Sequence, residues 1–341
     1  MAAGTSESQG SRLLRSLKSH PILCLLLLTP GIPEYLSSSS PINALVLNPF
    51  QFAFQLLANL GLYGSGALLI HDAKVRWNKG WATVLLLGFA YGILEEGVAL
   101  STMFNPNAGP VGSLGAYGHW LGVNWVWSAG IVPFHALWSI SIPILLLGLS
   151  VSETKTRRLL SRRGTMATIM ILGADVLFLM VIVNHATGYW MGYPILLGSA
   201  LSIAALVWAA RRASPAALLP PSDSPKASGR KVLAIGVSFF PAILLSQSLG
   251  EGAGVPAAVD FVLVILIQAA YLWYLARQGW RDNERGKLAL SLGLLIPIMV
   301  FGVVAELSLP MTLLADVVVV LFFRRLWAAY SPKTNESLTV S

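Results

Sequence analysis

The sequence predicts an all-α, polytopic membrane protein: a bundle of about ten transmembrane helices with both termini in the cytoplasm. Three observations carry this. Of the 341 residues, 55% are hydrophobic and 11% charged, and the mean hydropathy is +0.69; a soluble domain has about 25% charged residues with which to cover its surface. The apolar residues gather into runs near 21–33, 43–70, 81–103, 119–149, 165–186, 191–210, 231–249, 256–276, 288–306 and 309–330, most of them close to the ~20 residues that cross a hydrocarbon core. All 23 Lys and Arg lie before the first run, at the end of the last, or in alternate connections around 71–80, 150–164, 211–231 and 277–287. Basic residues mark the cytoplasmic side, so this alternation fixes the orientation. A soluble enzyme, a disordered chain and a nucleic-acid binder are excluded, because the pI of 9.7 describes one membrane face and not a basic groove.

In chain order, 1–20 is a polar cytoplasmic tail and 21–210 a six-span portion. Residues 11–29 have the basic start and short apolar core of a signal peptide, but PGIPEYLSSSS follows in place of a small-residue cleavage site, which favours a retained, Pro-broken first span. The Pro/Ser-rich stretch 211–230 reads as a cytoplasmic linker, 231–330 as a four-span portion and 331–341 as a cytoplasmic tail. Trp77, Trp81, Trp120, Trp190, Trp280 and Trp327 sit near span ends as an aromatic belt. A single cysteine, Cys24, excludes a disulfide framework. The expected partners are the bilayer itself and anionic lipids at the cytoplasmic face, and the expected location is the plasma or inner cell membrane. No nucleic-acid partner and no nucleotide-binding motif are indicated.

Ionisable groups in apolar spans are costly and mark function by default. Glu95 and Glu96 fall in the outer third of the third run. Adjacent helical residues point about 100° apart, so one of the pair is expected to face any given cavity. The fourth run places Asn124, Ser128, His135 and Ser139 along one face, amid Pro133 and Pro143, which free backbone carbonyls. His185 lies near the outer end of the fifth run, with Asp175 deeper, and Asp260, Glu306 and Asp316 occupy the outer parts of the last three. The outward half is thus acidic and free of Lys and Arg. Glu95, Glu96, His135 and His185 are the catalytic candidates; Asn124, Asp175, Asp260, Glu306 and Asp316 are candidates for a substrate or proton pathway. Without a His-Glu-x-x-His run no metal set is assigned, and no cofactor is identified.

Each of these residues also has a plainer role: interfacial anchor for the glutamates, interhelical hydrogen bonding for His135, His185 and Asp316. Ten spans with Pro- and Gly-interrupted helices and outward carboxylates favour an ion-coupled transporter or permease of a small or cationic solute. An intramembrane hydrolase or protease using Glu95 or Glu96 with His135 and His185 is the alternative, and a non-catalytic assembly or signalling subunit the second. The adjacent glutamates, a histidine 40 residues after the first of them and another 50 residues later resemble the CAAX prenyl protease and bacteriocin-processing intramembrane endopeptidases. That resemblance implies glutamate-activated water, with the histidines orienting it or stabilising the oxyanion. Leu100, Ile131 and Tyr189 stand at or near the family's Arg, Phe and Asn positions. The Tyr-Gly-Ile-Leu-Glu-Glu-Gly and Phe-Asn-Pro wording is also similar to that of uncharacterised bacterial multi-span membrane proteins.

Overall fold

The computed structural model describes residues 19–218, 228–278, 283–307 and 311–330. The predicted tails therefore lie almost wholly outside the described residues, as do residues 219–227 of the predicted linker. Among the described residues ten principal helices follow in order: α1 (Pro21–Tyr35), α2 (Pro49–Arg76), α3 (Trp81–Ala99), α4 (Trp125–Ser150) and α5 (Arg162–Thr187), then α6 (Tyr193–Arg212), α7 (Gly229–Gly252), α8 (Ala257–Ala276) and α9 (Glu284–Ala305), and finally α10 (Thr312–Ala329). Eight of them, α2 to α9, are long and apolar enough to cross a membrane. The two other predicted spans differ for identifiable reasons: α1 is short, and α10 carries Asp316, Arg324 and Arg325 within its 18 residues.

Local chemistry sets the helix ends. Asn48 accepts the Gln51 N–H, with Pro49 in the first turn of α2. Ser161 accepts the Gly164 N–H at the start of α5, which stops at Gly188 with φ 69°. Asn283 caps α9 through the Gly286 N–H. These caps satisfy donors that a helix cannot satisfy itself. The fourth predicted run differs at its start. Residues His119–Trp120 pair antiparallel with Val123–Asn124, with Leu121 and Gly122 both at positive φ, and the helix begins only at Trp125.

The centre of the bundle is α4, with 72% of its apolar window buried, against 11% for α5, α6 and α8. One face of α4 packs Trp138, Ile142 and Leu146 with Phe239 of α7 and Ile298 of α9. The other sets Ile140, Ile144 and Leu147 among Leu25, Tyr63, Val84 and Tyr91. Lipid tails are as apolar as leucine, so close packing and interhelical hydrogen bonds hold such a bundle, each bond worth on the order of 1 kcal/mol. Trp138 Nε1 donates to Leu294 O at 2.9 Å and Gln247 Nε2 to Val126 O at 2.6 Å. Pro133 leaves the Ala129 carbonyl without its usual i+4 donor, and Gln268 Nε2 of α8 fills the place at 2.7 Å.

Glu306, just past α9, is one of the predicted pathway residues. Its carboxylate accepts the backbone N–H groups of Ile42 at 2.9 Å and Thr312 at 3.1 Å, tying the connection after α1 to the start of α10. Burial raises the Glu306 pKa, but hydrogen bonds from Ser38, Thr312 and Ile42 outweigh it and hold the group below its ordinary value. A depressed folded-state pKa stabilises above the unfolded value, near 4.3, and that stability is lost as pH falls through the folded value. Glu306→Gln is therefore expected to lower the neutral-pH stability by about 1–3 kcal/mol and to flatten its acid dependence below about pH 4. Thermal unfolding of both proteins across pH 3–7 checks this; parallel pH profiles would refute the capping role.

Candidate functional site

Two glycines bring the glutamate helix and the histidine helix together. Gly88 and Gly92, one turn apart on α3, face Ala136 and Val132 of α4: a Cβ on Gly88 would lie 2.8 Å from Ala136 Cα, and one on Gly92 3.0 Å from Val132 O. Only hydrogen fits at such a crossing, as in the small-xxx-small contacts of membrane helices. Beyond it, Ile93–Ala99 of α3 and His135–Ser141 of α4 widen into π-helical turns. The Leu100 N–H accordingly reaches Glu95 O, five residues back, at 2.8 Å.

Glu95, Glu96 and His135 converge there. His135 Nε2 donates to Glu96 Oε1 at 2.8 Å, and His135 Nδ1 lies 3.0 Å from Glu95 Oε2 and 2.9 Å from Ser139 Oγ. Both glutamates thus reach the imidazole, where one was expected. The imidazole presents nitrogens on two edges, and the π turn alters the angular phase of a regular helix. Glu96 is fully engaged, because the Thr102 hydroxyl donates to its other oxygen. Glu95 is not: it is 0% exposed, its contact with Nδ1 lies outside hydrogen-bonding geometry, and neither of its oxygens has a hydrogen-bond partner. The Tyr91 hydroxyl is likewise buried with no partner in hydrogen-bonding geometry, although it interacts with the Glu95 carboxylate.

A second pair of π turns closes the site. Gly31–Tyr35 of α1 carries Glu34 and Leu60–Gly64 of α2 carries Tyr63. Tyr63 donates its hydroxyl to Glu34, and Ser40 Oγ donates to the other Glu34 oxygen at 2.7 Å. The rings of Tyr63 and Tyr91 stand 6.0 and 6.4 Å from the imidazole. Each of the four π turns therefore bears a residue of this neighbourhood, and such turns recur at functional sites. Sequence patterns single out neither Glu34 nor Tyr63, and mark Tyr91 only by its place one helical turn before Glu95. A glutamate between prolines reads as loop and an apolar-flanked tyrosine as core; the GIPEY and LGLYG runs give no other signal.

Asn124 is buried and serves the connection over the site. It donates to Thr102 O at 2.7 Å and Asn105 O at 3.0 Å, and accepts from His119 Nδ1 at 2.6 Å. Since Thr102 holds Glu96, Asn124 acts on the cluster through it. His185 is exposed on α5. Its neighbour Asn184 points inward instead, accepting from Ser101 Oγ at 2.8 Å, because one residue of helix rotates the side chain by about 100°. Asp175 is half-buried, with its carboxylate against Gly61 in the π turn of α2. Asp260 is buried on α8 and accepts from Ser246 Oγ at 2.9 Å. Asp316 is half-buried on α10. None of these four belongs to the Glu95–Glu96–His135 group.

The ligand atoms of that group lie within 4.8 Å of one another. Two carboxylates with an imidazolium carry a net charge of −1, and with a neutral imidazole −2. No Lys or Arg occurs within 21–35, 81–99 or 125–150. A buried net charge requires a counter-charge, and a divalent cation on two carboxylates and a neutral imidazole gives zero. That donor set suits Zn2+, Mn2+ or Fe2+, with coordination positions left open. Comparison with protein-family profiles, curated proteins and solved structures returns no match.

Proposed function

We propose that the protein is a cell-membrane carrier for a small cationic solute, with Glu95, Glu96 and His135 as its cation site. In this reading α1 and α10 complete ten crossings, and the alternation of basic connections puts both termini in the cytoplasm. The observation that carries the proposal is the buried group of two carboxylates and one imidazole in which neither Glu95 oxygen accepts a hydrogen bond. The π turns around it support the same reading, since carriers hold ions where regular helix geometry is interrupted. Divalent metal ions are the class of cation that the donor set balances. Reconstituted into liposomes that enclose a metal-sensitive dye, the protein is expected to raise Zn2+ or Mn2+ entry above that of protein-free vesicles, with Glu96→Gln returning it to background. Entry no faster than in protein-free vesicles overturns the carrier reading.

A hydrolase is the second reading, favoured by the buried Tyr91 hydroxyl, which interacts with the Glu95 carboxylate. Glu95 would take a proton from water there, and Tyr91 would donate to the developing oxyanion. Cleavage of a quenched-fluorescent apolar peptide that is lost in Glu95→Gln, together with no metal flux, decides for this reading over transport.

A further inference from the structure

At the opposite end of α3, the cytoplasmic end in the orientation proposed above, a cavity of 330 Å³ lies between the end of α2, the start of α3, the end of α4 and the first turn of α9. Its walls include His71, Lys74, Trp81, Lys155, Glu284 and Lys287. Three ammonium groups face one carboxylate. Glu284 Oε1 is shared by Lys155 Nζ at 3.1 Å and Lys287 Nζ at 3.3 Å, and Lys74 Nζ lies 5.5 Å from the centre of the Trp81 ring. With a neutral His71 the lining carries a surplus of two positive charges. His71 is 1% exposed. Its Nε2 donates to the Thr154 carbonyl at 2.8 Å, and its Nδ1 has no partner.

A second cavity, of 290 Å³, shares Trp81, Leu145 and Lys287 with the first and continues among Leu85, Leu272 and Leu294. A cationic chamber that shares a wall with an apolar one is complementary to an amphiphile with an anionic head. We infer that this pair of cavities binds one anionic phospholipid of the adjoining leaflet. Its phosphate oxygens accept from Lys74, Lys155 and Lys287, a hydroxyl of the phosphate or head group donates to the His71 Nδ1, and an acyl chain lies along Leu85, Leu272 and Leu294. Phosphate neutralises the surplus charge, and the leucines give the chain a dry wall. The inference is independent of the cation site, and it uses the proposed orientation only to say which leaflet supplies the lipid.

The test is a thermal-unfolding titration of the full chain in neutral detergent with phosphatidic acid, phosphatidylcholine or inorganic phosphate. Phosphatidic acid is expected to raise the midpoint by several degrees. Phosphatidylcholine and millimolar inorganic phosphate are expected to leave it in place, and Lys155→Gln with Lys287→Gln to weaken the phosphatidic acid response at least tenfold in concentration. An equal response to phosphatidylcholine overturns the head-group assignment, and a full response to inorganic phosphate alone overturns the lipid. Because the ligand series uses the unaltered protein, it decides the matter even if the double variant folds poorly.

Discussion

Glu95→Gln is expected to make the protein more stable in metal-free detergent, and Glu96→Gln less stable, although the two residues are adjacent. Glu95 is fully buried and neither oxygen accepts a hydrogen bond, so the desolvation penalty of its ionised form is offset only by the imidazole edge 3.0 Å away, which offsets little of it while the ring is neutral. Glutamine has the same shape without the charge, and its amide can donate to His135 Nδ1, 3.0 Å from the present carboxylate oxygen. The gain should be about 1–3 kcal/mol. Glu96 holds charge-assisted bonds from both His135 and Thr102, and losing their ionic character should cost about 1–3 kcal/mol. Added Zn2+ or Mn2+ should raise the wild-type midpoint, by about 2.7 kcal/mol at a hundredfold excess over Kd, and should act weakly on either variant, each of which lacks one of three ligands. Thermal unfolding with and without the ion reads all of this. If both variants lose stability in metal-free solution, Glu95 is not the uncompensated group that the geometry describes.

That contrast marks where sequence patterns stop. Apolar runs and the alternation of basic connections locate the helices, because hydrocarbon tolerates little else. The second apolar run ends at 70, because His71, Asp72, Lys74 and Arg76 read as a loop. The helix continues to Arg76 because Asp72 is paired with Arg76 at 2.8 Å and with Arg158 at 3.0 Å, a partner 86 residues away that no local window contains. Glu95, Glu96 and His135 were legible because charge inside an apolar run is conspicuous. Glu34 and Tyr63 were not, because their roles arise only when the π turns that carry them meet those of α3 and α4. His185 has the residue type of a site but faces outward, and Asn184 takes the inward position.

The largest effect expected from a residue that touches no ligand is at Gly88. A Cβ there would lie 2.8 Å from Ala136 Cα and 3.0 Å from Ala136 Cβ, backbone and near-backbone atoms that cannot rotate aside. Valine adds two further methyl groups at the same point, so α3 and α4 must separate. Overpacking of this kind costs about 1–3 kcal/mol. The functional loss should be larger than the stability loss. Ala136 adjoins His135, and the same separation opens the 2.8 Å and 3.0 Å contacts that assemble the cluster. Gly88→Val is therefore expected to weaken metal-dependent stabilisation at least tenfold, about 1.4 kcal/mol in binding terms, while Glu95, Glu96 and His135 are all still present. Gly173→Ala on α5, where a new Cβ meets nothing within 4 Å, should leave both stability and metal response within about 0.5 kcal/mol of wild type, apart from a small gain in helix propensity. Unaltered metal stabilisation in a folded Gly88→Val protein would mean that the cluster does not depend on this helix crossing. The close approach would then be a packing feature alone, and the two π turns by themselves would have to place the glutamates against the histidine.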